Sequence, residues 1–429
     1  MVSCIVTVLK QRSSLCFFLA QFISRFGDGI TTTIILYLIG TTSKDPFFIG
    51  LVLFAQYGPM LLFGFFTGTM ADRFPKHILM IGTDLYRAFV MIAMIFSTHV
   101  IWLLIMLVFL SGIGNAISYP ARSSFIPHLV GEQQITEALS ISQGINSIMQ
   151  IAGPGAAGIL LVLTSPSNIL IIDVVTFLVS ALLTGVSVKM IHYHQAHNDN
   201  QNQHSSIWRS AKDGIKTVFA LAPLTFLIAL IMQLMFAAGI FNTTSTSLLL
   251  QDFHVSSFHY GMIEAMVGAG ACIGAAMGPF LLLHFKPGHL LFFSSAFMGV
   301  WMIFVVLLQQ LPGVYTIPSL YIWVSIIGLI NAFLNIPISS LFLGLTPDIY
   351  RGRAMAILQM SSNTGLLLGI VISGLLSRFL GAVFVTAISG TLLVLISLLA
   401  TRTKGFKALL AIDKKMKKPE KENVVVPGE

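Results

Sequence analysis

Charge is what this chain has least of: 9% of its 429 residues are Asp, Glu, Lys or Arg, against about 25% in soluble globular proteins. That scarcity excludes a water-soluble enzyme of two or three domains. With 55% hydrophobic residues, disordered and collagen-like chains are excluded as well. Cysteine is also scarce. Cys4, Cys16 and Cys272 are too few and too scattered for a disulfide framework or a metal finger. Acidic residues are outnumbered 16 to 24, for a net charge of +8. Long apolar runs nevertheless separate the basic residues, so they form no continuous face for a nucleic acid. Enzyme motifs are missing too. There is no HExxH, no GxSG nucleophile motif and no GxGD, since Phe26-Gly27-Asp28 lacks the first glycine. Gly112-Ile-Gly-Asn-Ala116 lies in an apolar run with no preceding strand and is not a dinucleotide loop. Without a Walker loop, ATP is not the energy source within this chain. No cofactor and no resident metal is expected.

What the chain does have is apolar runs. A bilayer core of about 30 Å takes roughly 20 residues at 1.5 Å each. Twelve stretches of that kind lie near 15–39, 47–70, 78–97, 100–120, 139–163, 168–188, 224–250, 258–284, 290–310, 315–344, 355–377 and 380–400. They are too long for barrel strands and lack strict alternation. The fold class is therefore an all-α membrane protein with twelve transmembrane helices. The first stretch contains Arg25 and Asp28, lacks an A-x-A site and is expected to remain as a span. With the N-terminus inside, 20 of the 24 Lys and Arg fall in inner segments and only Lys44 and Arg378 in outer loops, while Arg25 and Arg87 lie within spans. By the positive-inside rule both termini are cytoplasmic and the setting is the cell (inner) membrane.

The longest internal polar segment divides the chain: an N-terminal six-helix bundle (1–188), a cytoplasmic linker (189–223), a C-terminal six-helix bundle (224–400) and a basic tail (401–429). The linker begins with a His/Asn/Gln-rich stretch, where His192, His194, His197 and His204 suit solvation rather than metal. Trp208, Ile215 and Phe219 then take one side of an interfacial amphipathic helix. The halves echo each other. Gly68 and Lys76 follow span 2 at the spacing of Gly278 and Lys286 after span 8. Pro120 and Pro127 are read as the turn after span 4, and Pro337 and Pro347 as the turn after span 10. Six plus six spans with weak internal symmetry point to a transporter.

The motifs agree. Residues 68–77, GTMADRFPKH, resemble the loop between spans 2 and 3 of the major facilitator superfamily, with His77 in place of the last basic residue. GPGAAG at 153–158 is similar to the family's antiporter motif, with Ala157 replacing a glycine. QFISRFGDG (21–29), YPARSSFIPHLV (119–130) and TPDIYRGRAMAI (346–357) resemble the branch containing macrolide-efflux proteins, the enterobactin exporter and lysophospholipid transporters. The resemblance implies the major facilitator fold and a gating role for Gly68, Asp72, Arg73 and Lys76 with Arg351 and Arg353, and for Gly153, Pro154 and Gly158. Span 4, read as 100–120, lacks the intramembrane arginine of many proton-coupled drug exporters, and Arg25 is the expected substitute.

Six ionisable residues fall within the spans: Arg25, Asp28, Asp84, Arg87, Asp173 and Glu264. Each Asp or Arg costs about 2.5–3.5 kcal/mol at a helix centre, so such groups face one another, water or the bundle interior. Gln21, Arg25, Asp28 and Thr32 follow at spacings that make one polar stripe, with Asp28 near the midplane. Two roles are open for Asp28: a proton or substrate site, and a structural pair with Arg25. Asp84 and Arg87 read as a structural pair, Asp173 as structural, and Glu264 as a second protonatable site. Asn146 and Gln150, Asn331 and Asn335, and Gln359 and Asn363 extend the polar faces toward a substrate cavity with Gln21. The expected function is a monomeric secondary transporter, a proton-coupled antiporter for efflux of a small amphipathic drug or siderophore-like molecule. The alternative is a lysophospholipid flippase or uniporter of the same fold. Its partners are then the small-molecule substrate, protons and the lipid bilayer.

Overall fold

The twelve apolar runs become twelve long helices, because in hydrocarbon every backbone N–H and C=O must find its partner within the segment. The computed structural model describes residues 7–131, 134–192, 222–346, 351–403 and 406. The helices are α1 (Arg12–Thr42), α2 (Pro46–Arg73), α3 (Lys76–Ser97), α4 (Ile101–Val130), α5 (Ile135–Leu163) and α6 (Pro166–His192), then α7 (Ala222–Ser247), α8 (Ser257–His284), α9 (Pro287–Ile303), α10 (Gly313–Leu345), α11 (Arg351–Leu380) and α12 (Ala382–Ala400). Twelve stretches are long and apolar enough to cross a membrane, the ninth running from Pro287 through a break at Phe304 to Leu308. Residues 193–221, with the expected amphipathic helix, and nearly all of the basic tail lie outside the described residues.

Two sequence expectations are corrected. Pro120 and Pro127 are not in a turn but inside α4, and Pro337 is inside α10. Membrane helices tolerate proline where neighbouring helices and side chains accommodate the freed backbone groups. The fourth span therefore runs past residue 120 and takes in Arg122, which is buried. Span 4 does carry an arginine, and the inner Lys/Arg count falls by one. Pro347 lies outside the described residues.

The packing repeats with a shift of six helices. α1 lies on α5 and α6, as α7 lies on α11 and α12. α2 pairs with α4 as α8 does with α10, and α3 pairs with α4 and α6 as α9 does with α10 and α12. Two further contacts, α5 with α8 and α11 with α2, join the first six helices to the last six and obey the same shift.

These joining contacts close the end of the molecule where α1 finishes, called here the far end. The last turn of α7 widens into a π-helical turn at Leu248–Asp252. From it the Gln251 side-chain amide donates to the Ser43 carbonyl at 2.8 Å. Asp45, which caps α2 by accepting from the Phe47 N–H at 3.0 Å, pairs with Arg378 of α11 at 3.4 Å. A Cβ at Gly50 would lie 3.0 Å from the Gly374 Cα, so α2 and α11 touch backbone to backbone. At the opposite end, nothing stands within 4 Å of a Cβ placed on Gly64, Gly68, Gly144 or Gly344.

Candidate functional site

The polar stripe of α1 organises the interior of the first six helices. Each of its four members binds a different neighbour. The Gln21 amide donates to the Ser142 hydroxyl of α5 at 2.7 Å, and an Arg25 Nη reaches Asn115 Oδ1 of α4 at 3.5 Å. Asp28 accepts from Arg87 of α3, and Thr32 accepts from the Gln56 amide of α2 at 2.7 Å. Helical spacing alone sets this up, since residues three and four apart lie along one face.

Asp28 is the centre of the stripe. Sixteen residues after Arg12 in a helix of 31, it sits at the middle of α1. It holds two cations: Arg87 on one carboxylate oxygen and Arg25, at 3.5 Å, on the other. Its side chain keeps 18% exposure, whereas that of Arg87 is buried at 8%. Arg87 is further fixed by Nε donating to Ser111 Oγ at 3.4 Å and by stacking of its guanidinium over Phe177, 4.3 Å from the ring centroid.

The expected Asp84–Arg87 pair is not formed. The two share a face of α3 but turn to different helices, Arg87 to Asp28 of α1 and Asp84 to Arg122 of α4. One Arg122 nitrogen lies 3.0 and 2.8 Å from the two Asp84 oxygens, and Ser180 of α6 donates to Asp84 at 2.7 Å. The Asp84 side chain is 1% exposed. Asp173 stands on α6, fully buried, with hydroxyls of Thr31 and Thr176 on its two oxygens at 2.6 and 2.9 Å. Sequence reading missed Arg122, Asn115, Ser111 and Phe177. The signal available for Arg122 was an arginine two residues beyond a span end drawn at a proline.

The glycine motif of α5 packs on two sides. A Cβ on Gly153 would lie 2.7 Å from the Gly29 Cα of α1, and one on Gly158 would lie 2.9 Å from the Phe258 carbonyl and 3.0 Å from the Gly261 Cα of α8. Pro154 lies between them inside the helix. The motif thus holds α5 against its own half and against the other half at once.

The remaining expected residues are more dispersed. Glu264 of α8 shares no ion pair with the Asp28 cluster among the described residues, and lies within electrostatic reach of Tyr57 on α2 and Tyr260 on its own helix. Asn335 donates to Asn331 Oδ1 at 2.7 Å, and Gln359 to Asn363 Oδ1 at 3.1 Å, so these amides pair along their own helices. Asn146 is half-buried and Gln150 exposed on α5. Lys76 approaches His128 at 3.4 Å on the surface, and Arg73 is exposed. The side chains of Asp72, Arg351 and Arg353 lie outside the described residues.

The twelve-span fold finds its match in known proteins. Residues 17–347 match the Major Facilitator Superfamily. The chain belongs to that superfamily. Macrolide efflux protein A of Streptococcus pyogenes is 23% identical over 397 residues, covering 91% of this chain and 95% of its own. The Staphyloferrin A transporter of Staphylococcus aureus is 22% identical over 350 residues, covering 80% of this chain and 84% of its own. Among solved structures, a nucleoside transporter NupG variant superposes with a TM-score of 0.70 at 16% identity, over 92% of this chain and 99% of that one. A bacterial homologue of the iron transporter ferroportin gives 0.70 at 14% identity, over 91% and 99%. At these identities the solved structures establish the fold that this superfamily member shares with them. The superfamily is one of transporters, with a small-molecule substrate and a membrane setting.

Proposed function

We propose that this superfamily member is a secondary active exporter that moves a small amphipathic molecule by alternating access, in exchange for protons. The observation that carries the reading is Asp28: a partly exposed carboxylate at mid-helix, held by one arginine from its own helix and one from α3. Nearby cations favour the charged form of a carboxylate and loss of hydration disfavours it, so a change in either between states moves a proton on or off. The relatives named for macrolide efflux and for staphyloferrin A transport support a small-molecule cargo. Arg25 tunes Asp28, and Glu264 is the second protonatable group.

The two bundles, 1–188 and 224–400, rock about the cargo. The charge bias places the termini, the 189–223 linker and the 401–429 tail in the cytoplasm of a cell whose membrane holds the protein as a monomer. The far end, tied by Gln251–Ser43 and Asp45–Arg378, then faces outward, and this conformation opens to the cytoplasm. A reporter fused after Glu429 is expected to be active on the cytoplasmic side; activity confined to the outside would reverse the topology.

Gln21, Asn146, Gln150, Asn331, Asn335, Gln359 and Asn363 supply polar contacts around an otherwise apolar cavity. Gly153, Pro154 and Gly158 seal the outer half of the path through close packing of α5 on α1 and α8. Gly68, Asp72, Arg73 and Lys76, with Arg351 and Arg353, form the inner latch in the opposite state. A carboxylate at the start of α11 stabilises a helix N-terminus by about 0.3–1 kcal/mol when exposed. Asp72→Asn is expected to lower transport at near-normal expression; unchanged transport would leave that loop a topogenic role alone.

The coupling itself is tested with purified protein in proteoliposomes containing a pH dye. Addition of a macrolide, or of staphyloferrin A, is expected to drive protons in the direction opposite to the cargo. Cargo flux without proton movement would contradict the exchange and favour a uniporter or lysophospholipid flippase.

A further inference from the structure

Beside the Asp28 centre lies a carboxyl group whose surroundings are inconsistent with a negative charge. Asp173 has no exposure, and among the described residues no Lys or Arg nitrogen lies within 4.0 Å of it. Its partners are two hydroxyls. Thr31 of α1 donates to Oδ2 at 2.6 Å. Thr176 Oγ1 stands 2.9 Å from Oδ1, but the same oxygen is also 2.8 Å from the Asp173 backbone carbonyl.

A hydroxyl has one proton to give and two lone pairs. Both neighbours of Thr176 Oγ1 are acceptors if Asp173 is ionised, and one proton cannot serve both fully. A protonated Oδ1 removes the conflict, because it donates to Thr176 while Thr176 donates to the carbonyl. An ionised carboxylate at zero exposure with one full hydrogen bond would instead bear a large desolvation penalty.

The charged groups within electrostatic reach of Asp173 are Asp28 from α1 and Arg87 from α3, with Arg25 beyond Asp28 and Asp84 beyond Arg87; α5 carries no charged residue at this depth. Arg25 lies on Asp28, and Asp84 is taken by Arg122. Among the described residues, Arg87 is the cation within reach of both Asp28 and Asp173. Its guanidinium rests on Phe177, one helical turn from Asp173 on the same face of α6, and within electrostatic reach of Asp173 while bound to Asp28. The Asp173 side chain lies directly against the α1 backbone here, since residue 27 is glycine and a Cβ there would meet Asp173 Cγ at 3.1 Å.

We propose that Asp173 carries a proton in this conformation and that Arg87 serves Asp28 and Asp173 in turn. When Arg87 turns along the Phe177 face to Asp173, the proton that Asp173 loses is the one that Asp28 gains, and the charge of the site is unchanged. Asp173 is then the buried store and Asp28, with its 18% exposure, the port to the cavity. The use of this exchange in transport rests on the proton-coupled reading above; the protonation of Asp173 rests on geometry alone.

The test is infrared difference spectroscopy of the full chain in lipid vesicles at neutral pH. A protonated carboxyl has a C=O stretch that a carboxylate lacks. Asp173→Asn is expected to remove one such band relative to the unsubstituted protein and to melt at nearly the same temperature, since the amide accepts from Thr31 and donates to Thr176 as the neutral acid does. Asp28→Asn is expected to remove the band too, because a released Arg87 ionises Asp173. No band lost in Asp173→Asn, or a strongly destabilised variant, would show Asp173 to be ionised and overturn the proposal. A band retained in Asp28→Asn would show that Arg87 is not shared. Failure of proton movement in proteoliposomes would defeat the coupled reading and leave these spectra to decide Asp173.

Discussion

Replacing Arg122 by leucine is expected to destabilise the protein by about 3–5 kcal/mol, the cost of removing one partner from a buried ion pair. Asp84, at 1% side-chain exposure, would keep only the Ser180 hydroxyl at 2.7 Å. The lost guanidinium is the group within 3.0 Å of both its oxygens. The pair joins α3 to α4, and Ser180 adds α6, so three helices lose their common anchor. Arg122 also has Nη1 buried without a partner among the described residues, which makes the intact pair itself a modest source of stability. The Arg122→Leu, Asp84→Asn double variant is therefore expected to recover most of the loss. Thermal unfolding of the purified protein checks both. A single variant within the roughly 0–1 kcal/mol of an exposed surface pair would contradict the buried arrangement.

That pair shows where sequence reading stopped. The twelve spans were legible because a bilayer imposes a length that composition reveals directly. The α1 stripe was legible because helical spacing puts Gln21, Arg25, Asp28 and Thr32 on one face whatever lies opposite. Pro120 and Pro337 misled because proline ends helices in water, while in a membrane-spanning helix it is accommodated in place. Drawing span 4 to end at Pro120 left Arg122 outside it. The partner of Arg87 was illegible for another reason. Spacing says that Asp84 and Arg87 share a face, but not that the neighbours across that face are Asp28 and Arg122, which only the packing of α3 against α1 and α4 decides. GPGAAG announced close helix approach, and the two helices it approaches, α1 and α8, came from the structure.

The largest functional effect is expected at Asp28. Asparagine keeps its size and polarity but cannot titrate. Without a proton to exchange at mid-helix, the cargo moves down its own gradient or not at all. Loss of one carboxylate also leaves Arg25 and Arg87 with less negative charge between them. The substitution is tolerated because Asp28 keeps 18% exposure and water reaches the site. The fold is held elsewhere, by Asp84–Arg122 and the glycine contacts of α5.

The deciding measurement is accumulation of a macrolide by proteoliposomes under an imposed pH difference, comparing the unsubstituted protein with Asp28→Asn at matched reconstitution. The expected result is uphill accumulation with Asp28 present and none with asparagine, while binding of the macrolide to the variant persists. Uphill accumulation by Asp28→Asn would show that Asp28 is not the group that couples protons to transport, and would move that role to Glu264.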